Sequence, residues 1–179
     1  METNSAIFLI GFMGSGKTTF GKKLAAKLKV DFIDLDESII RYYQSQEENV
    51  HSVREIVEQN GLPYFRTIES ETLRLIPSNN KVIATGGGTP CHFDNLEWMK
   101  RRGRVIFLDV DEGVLFSRLK TTDLEERPLL KDLDEEGLKK FIYDKLQERL
   151  PIYKQADIIF NPVKQKIEDL VEGIEKLAG

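Results

Sequence analysis

Residues 11–18, Gly-Phe-Met-Gly-Ser-Gly-Lys-Thr, follow directly on the apolar run Ala6-Ile7-Phe8-Leu9-Ile10. The spacing G-x-x-x-x-G-K-[ST] is that of a loop whose backbone cradles phosphate, and its context here is the required one: a strand before it and an amphipathic helix after it. Phe20, Leu24 and Leu28 recur every four residues with lysines on the other face, which predicts that helix. The glycines let the chain turn with its N–H groups inward, and the helix adds its positive N-terminal end. Lys17 is placed to reach the outer phosphates and the Thr18 hydroxyl to ligate Mg²⁺, so Gly14, Ser15, Gly16, Lys17, Thr18 and Thr19 form the candidate nucleotide-binding set.

Beyond this loop, short β-type runs alternate with helical patterns, the signature of βαβ units and a parallel sheet. The predicted strands are Ala6–Ile10, Asp31–Ile33, Lys81–Ala84, Arg104–Leu108 and Asp157–Phe160. Val163, Ile167, Leu170, Val171, Ile174 and Leu177 predict a last helix lying on the sheet. The segment from Arg41 to Asn60 is polar and ends in Asn60-Gly61-Leu62-Pro63, a helix-stop signal, so it is expected to form helices beside the sheet. Lys120 to Gly137 is densely charged and broken by Pro128; it suits either a solvated loop or a mobile lid. With 179 residues, the chain reads as one domain spanning 1–179.

Composition closes off several classes of function. No apolar stretch approaches the roughly 20 residues of a membrane-spanning helix. The N-terminal residues have an acid at position 2 and no basic leader, so a cytoplasmic protein is expected. One cysteine and two histidines exclude an internal disulfide and offer no ligand set for structural zinc. A net charge of −4 argues against a nucleic-acid partner, since such binding draws on clustered Lys and Arg.

A second set of polar residues points to chemistry at the phosphate. Asp34-Leu35-Asp36 closes the second predicted strand, and alternation along an extended chain would place both carboxylates on one side, toward the loop. One could hold a metal through water and the other accept a hydroxyl proton; a capping or surface role fits a bare D-x-D as well. Val105-Ile106-Phe107-Leu108-Asp109 offers a rival metal-binding aspartate at the end of an apolar strand. Ile83-Ala84-Thr85-Gly86-Gly87-Gly88 puts three glycines after a buried strand, where backbone N–H groups can approach a ligand. A guanine-reading N-K-x-D is missing, because Asn80-Lys81-Val82-Ile83 lacks the aspartate, and the one D-x-x-G, Asp134 to Gly137, lies in the charged late segment. A GTPase switch is therefore poorly supported, and a small-molecule kinase needs a second site of this kind to orient a hydroxyl in line with the γ-phosphate.

At this point the chain resembles shikimate kinases. The resemblance rests on LIGFMGSGKTT, the DLD pair, Phe65-Arg66 followed by Glu69, the ATGGG turn, Glu126-Arg127-Pro128-Leu129-Leu130, and Arg149 followed by Tyr153 and Ala156, in the family's order across nearly the whole chain. It implies a P-loop fold, three-layer α/β/α, with a five-stranded parallel sheet of order 2-3-1-4-5. It implies transfer of the γ-phosphoryl of ATP to the 3-hydroxyl of shikimate with Mg²⁺ required, by a monomer with no nucleic-acid or membrane partner. Arg66 and Arg149 correspond to a guanidinium pair gripping the shikimate carboxylate, Asp36 to the residue that orients or deprotonates the 3-hydroxyl, and Gly87 and Gly88 to backbone contacts with the ring. Thr18 and Asp34 correspond to the Mg²⁺ shell, the aspartate through water. Arg127, with Lys17, corresponds to the cations at the transferring phosphate, and Arg118 to the position packed on adenine. The substrate-binding segment would be about 35–66 and the lid about 119–132, and Asp109 becomes an ordinary strand-end residue.

The chain departs from the family pattern in one region. Thirty positions separate Asp36 from Arg66, more than the pattern has, and the extra residues fall in the polar stretch Tyr42 to Glu48. Asn49-Val50-His51-Ser52 stands where the family has Gly-x-Ser-Ile, so the approach of the substrate is expected to differ. Cys91 and His92 read as neighbours of the site rather than catalysts. The alternatives are a related kinase for another hydroxy acid such as gluconate, and a catalytically silent nucleotide-binding module.

Overall fold

The computed structural model describes residues 5–46, 50–121, 130 and 133–176. Five parallel strands, β1 (Ala6–Ile10), β2 (Asp31–Asp34), β3 (Lys81–Ala84), β4 (Gly103–Leu108) and β5 (Ile158–Phe160), form one sheet in the order β2-β3-β1-β4-β5. This is the predicted fold and strand order. β1 lies at the centre, with Phe8 beside Ile83 of β3 and Val105 of β4, and all five of its residues are buried. A strand covered on both faces by helices reads as a continuous apolar run, which is why AIFLI shows no alternation.

The two faces of β1 belong to separate cores. Ala6, Phe8 and Ile10 pack with residues of helices α2 (Leu35–Gln44), α3 (Val53–Asn60), α4 (Leu62–Leu75) and α5 (Asn95–Arg102). Ile7 and Leu9 pack on the other side with Leu24 and Ala25 of α1 (Lys17–Leu28) and with Leu170 and Ile174 of α8 (Ile167–Lys176). A third cluster joins Phe12, just past β1, to helices α6 (Glu112–Lys120) and α7 (Glu135–Tyr153). Burying each large side chain contributes on the order of 1.5–3 kcal/mol, so β1 is held firmly, and with it the loop that follows.

The structure differs from the sequence reading at β2, at the last helix and at the starts of β4 (Gly103 rather than Arg104) and β5, and it gives the D-x-x-G a local role. β2 ends at Asp34, and Asp36 lies in the first turn of α2 rather than on a strand; Asp34 caps that helix, its Oδ1 accepting the Asp36 N–H at 3.0 Å. An aspartate satisfying an otherwise unpaired helix N–H outweighs continuation of a short edge strand. The last helix starts at Ile167, because Asn161 Oδ1 accepts the N–H groups of Val163 and Lys164 and holds that stretch as a turn, with Val163 half exposed. Leu177 lies outside the described residues. β5 starts at Ile158, while Asp157 Oδ2 accepts the Val105 N–H at 2.8 Å. The D-x-x-G at Asp134 is a helix cap: its Oδ1 accepts the Gly137 N–H at 2.7 Å at the start of α7. The helix-stop at residues 60–63 is as predicted, with Gly61 at φ +83° between α3 and α4.

Candidate active site

The phosphate loop runs from the buried end of β1 into α1. Gly14 and Gly16 hold φ of +79° and +90°, conformations that side-chain-bearing residues rarely adopt. Gly16 caps α1 without a side-chain acceptor, which leaves the first-turn N–H groups for an anion. Lys17 Nζ arches over the loop and donates to the carbonyls of Gly11 and Phe12 at 2.8 and 2.9 Å. The Ser15 hydroxyl is buried with no protein partner among the described residues. Thr18 Oγ1 donates to Asp34 Oδ2 at 2.7 Å, so the hydroxyl and carboxylate offered as metal ligands are adjacent. Arg118, from α6, donates to the Gly14 carbonyl at 2.9 Å and so flanks the loop from outside.

Across the cleft, three chain segments meet. Arg66 and Glu69 share one face of α4, and the buried Glu69 carboxylate accepts from Arg66 NH1 at 2.7 Å. Arg149, near the end of α7, is only 5% exposed although it is an arginine in a highly charged chain. Between them lies the glycine turn after β3. A Cβ on Gly88 would stand 2.6 Å from Arg66 NH2, so only bare backbone lets that guanidinium approach, while one on Gly87 would stand 3.5 Å from Arg149 NH1, in ordinary contact with the second guanidinium. Tyr153, one turn beyond Arg149, donates its hydroxyl to the Gly87 carbonyl at 2.5 Å. Arg66 Nε and Arg149 NH1 are buried and have no protein hydrogen-bond partner among the described residues. Buried donors of this kind are costly unless something accepts from them.

Asp36 stands between these two halves. Its side chain is open to the cleft, so a small molecule can reach it, yet it sits deep among protein atoms. That crowding, with the charges of Asp34 and Glu69 beside it, raises its pKa to about 6 against the opposing pull of Lys17 and Arg66. A carboxylate so tuned is poised near neutrality for proton transfer. His92 is pushed the other way, below its ordinary value, by burial and then by Arg66 and Arg149. Burial also raises the Cys91 thiol, so both are uncharged neighbours of the site at neutral pH, as read from the sequence.

Of the sequence-predicted site residues, Gly14, Ser15, Gly16, Lys17, Thr18, Thr19, Asp34, Asp36, Arg66, Gly87, Gly88, Arg118 and Arg149 all line one cleft of about 660 Å³. Arg127 and most of the expected lid fall outside the described residues. Asp109, the rival metal ligand, is exposed at the end of β4, does not line the cleft, and gives its N–H to the Phe160 carbonyl. The sequence reading gave no separate role to Glu69 or Tyr153. Their signal was spacing: Glu69 is three residues from Arg66 and Tyr153 four from Arg149, the separations that share a helix face. It also missed the wall formed by Val53, Val57, Leu62 and Phe65.

Comparison with known proteins agrees with this geometry. A sequence model described as "Shikimate kinase" matches residues 13–178. A shikimate kinase of Bacteroides fragilis is 43% identical over 177 residues, covering 96% of this chain and 94% of its own. The crystal structure of shikimate kinase from Bacteroides thetaiotaomicron superposes with a TM-score of 0.83 at 40% identity, covering 97% of both chains. That of shikimate kinase from Acinetobacter baumannii in complex with shikimate gives 0.82 at 32% identity, covering 98% of this chain and 93% of the other. The chain belongs to the shikimate kinase family.

Proposed function

We infer that this protein is a shikimate kinase, transferring the γ-phosphoryl of ATP to the 3-hydroxyl of shikimate, with the residues above in definite roles. The observation that carries the reading is the pair of arginines, Arg66 and Arg149, each of which brings a buried, unpartnered N–H to a glycine turn beside a phosphate loop. A planar guanidinium fork suits a carboxylate, and two of them suit a carboxylate that must be held in a fixed orientation. Gly87 and Gly88 bring backbone to the ring, and the apolar wall of Val53, Val57 and Phe65 offers a surface for its hydrocarbon face.

The reaction then follows from placement. With the acid gripped, Asp36 accepts the proton of the 3-hydroxyl as that oxygen attacks the γ-phosphorus, and the bond to the bridging oxygen of ADP breaks on the far side. Lys17, the loop N–H groups and Arg127 meet the charge on the phosphoryl oxygens, electrostatic help worth several kcal/mol in this class of reaction. Arg118 packs on the adenine. Thr18 and Asp34 are the residues that would hold Mg²⁺. Their hard oxygen atoms suit that ion, and the described residues contain no group of three or more acidic, histidine or cysteine ligands that would make a dedicated cage, in keeping with a cation that relies on phosphate oxygens and water. Bound there, the ion would neutralise the phosphate oxygens.

We further read the protein as a cytoplasmic monomer; no helix among the described residues is long and apolar enough to cross a membrane. A coupled assay of ADP release tests the function directly. Shikimate is expected to drive turnover and gluconate to leave the ATPase background unchanged, with turnover lost on chelation of Mg²⁺ and restored on its return. Turnover on gluconate would favour the related kinase, and ATP binding without transfer to any hydroxy acid would favour a silent module.

A further inference from the structure

Thr89 and Asn95 are both completely buried and neither faces the cleft. Thr89 opens the 3-10 turn Thr89–Cys91 that follows the three glycines, and Asn95 opens α5. Thr89 Oγ1 donates to Glu69 Oε1 at 2.6 Å while Arg66 NH1 donates to Glu69 Oε2 at 2.7 Å, so the two oxygens of one buried carboxylate are divided between the hydroxyl and the arginine. Asn95 Nδ2 donates to the Thr89 carbonyl at 2.9 Å, and its Oδ1 accepts from Ser70 Oγ at 2.8 Å and from Arg74 NH1 at 2.9 Å. Arg74 then pairs with Asp94, which is more than half exposed. The result is an unbroken polar chain from the acid clamp to the protein surface, and four of its members, Arg66, Glu69, Ser70 and Arg74, lie along one face of α4.

A chain of this kind is expensive to bury half satisfied. A carboxylate in the interior with one oxygen unpaired would turn to share its partner or draw in water, and either would move Arg66. The Thr89 backbone is in turn fixed to the glycine turn, its N–H donating to the Gly86 carbonyl at 3.2 Å. We propose that Thr89 and Asn95 are positioning residues for the acid clamp: Thr89 holds Glu69 in the orientation that presents Arg66 to the substrate carboxylate, and Asn95 locks Thr89 and the glycine turn to α4. The proposal rests on the carboxylate-clamp reading of Arg66.

The test is a kinetic comparison of the full chain carrying Thr89→Val, Thr89→Ser, Thr89→Ala or Asn95→Asp. Thr89→Val keeps the volume and removes the donor, and should raise the KM for shikimate roughly tenfold, the scale expected when a buried charged group loses one hydrogen bond. The KM for ATP should stay within twofold, and kcat should change less than KM for shikimate does. Thr89→Ser restores the hydroxyl and should return the shikimate KM to within twofold of wild type. Asn95→Asp loses the N–H toward Thr89 and should raise the same KM by about threefold. Should Thr89→Val not accumulate in folded form, Thr89→Ala and Asn95→Asp carry the same prediction, checked against their melting temperatures. A folded donor-less variant whose shikimate KM is unchanged, equal rises in both KM values, or failure of serine to rescue would overturn the proposal. A wild-type protein that shows no shikimate-dependent ADP release would instead remove the functional reading beneath it.

Discussion

The two walls of the cleft are built on opposite plans. The phosphate side is contiguous in sequence and made largely of backbone: six residues between a buried strand and a helix, with the helix's first two residues, and with glycines at positive φ supplying the shape. The acid side is discontinuous and made largely of side chains, with Asp36, Arg66, the glycine turn and Arg149 drawn from four segments. Backbone sites depend on the conformation of one short stretch. Side-chain sites depend on the packing of whole helices, so they should be easier to disable one residue at a time, and each lesion should be felt on one substrate only.

That contrast can be broken by mutation. The largest effect is expected at the point where the walls meet: Asp36→Asn should lower kcat by on the order of 10³-fold while ATP still binds, measured by coupled assay and by nucleotide titration. The same variant should not lose stability at pH 7. The folded pKa of Asp36 is about 6, above its ordinary value of 3.8, so the folded chain binds that proton more tightly and this group's contribution falls as pH rises from about 4 to about 6. Removing the ionisation removes that cost, and a melting temperature well below wild type at pH 7 would contradict the assignment.

Next in size, Arg66→Lys and Arg149→Lys keep the charge and lose the fork. Each should raise the shikimate KM by roughly 10–100-fold with the ATP KM within twofold. Equal losses for both substrates would mean that the two walls are not separable. A smaller, graded effect is expected from pH. With Asp36 acting as a base in its ionised form, kcat/KM for shikimate should fall as pH drops below about 6, and a profile flat down to pH 5 would remove that role. The smallest effect belongs to the outer edge of the phosphate side: Arg118→Ala should raise the ATP KM by only about threefold and leave that for shikimate unchanged, because the contact proposed for it is that of an exposed cation on a ring.

The same contrast explains what could be read in advance. The phosphate loop and all five strands were legible because their signals are local: a fixed spacing, apolar runs and turn residues. Strand order and the partnership of Arg66 with Arg149 are not local properties. They came from resemblance to a family, since nothing in composition says that residues 83 positions apart will meet against one glycine turn. The DLD pair shows the limit of periodicity. Alternation predicted an extended chain, whereas Asp34 uses its carboxylate to start α2, and Asp36 reaches the cleft from a helix instead. Glu69 escaped notice as a site residue because its importance lies in being buried, which a charged letter in a sequence does not reveal.

The claim on which the account turns is that Arg66 and Arg149 recognise a carboxylate. The most direct measurement leaves the protein untouched and alters the ligand: kcat/KM for shikimate against its carboxamide, which keeps the ring, the hydroxyls and the shape but loses the charge. The account predicts a loss of about 100-fold or more for the amide, at an unchanged KM for ATP, since two charge-assisted contacts are weakened together. Equal efficiency on acid and amide would mean that the two arginines serve some other purpose.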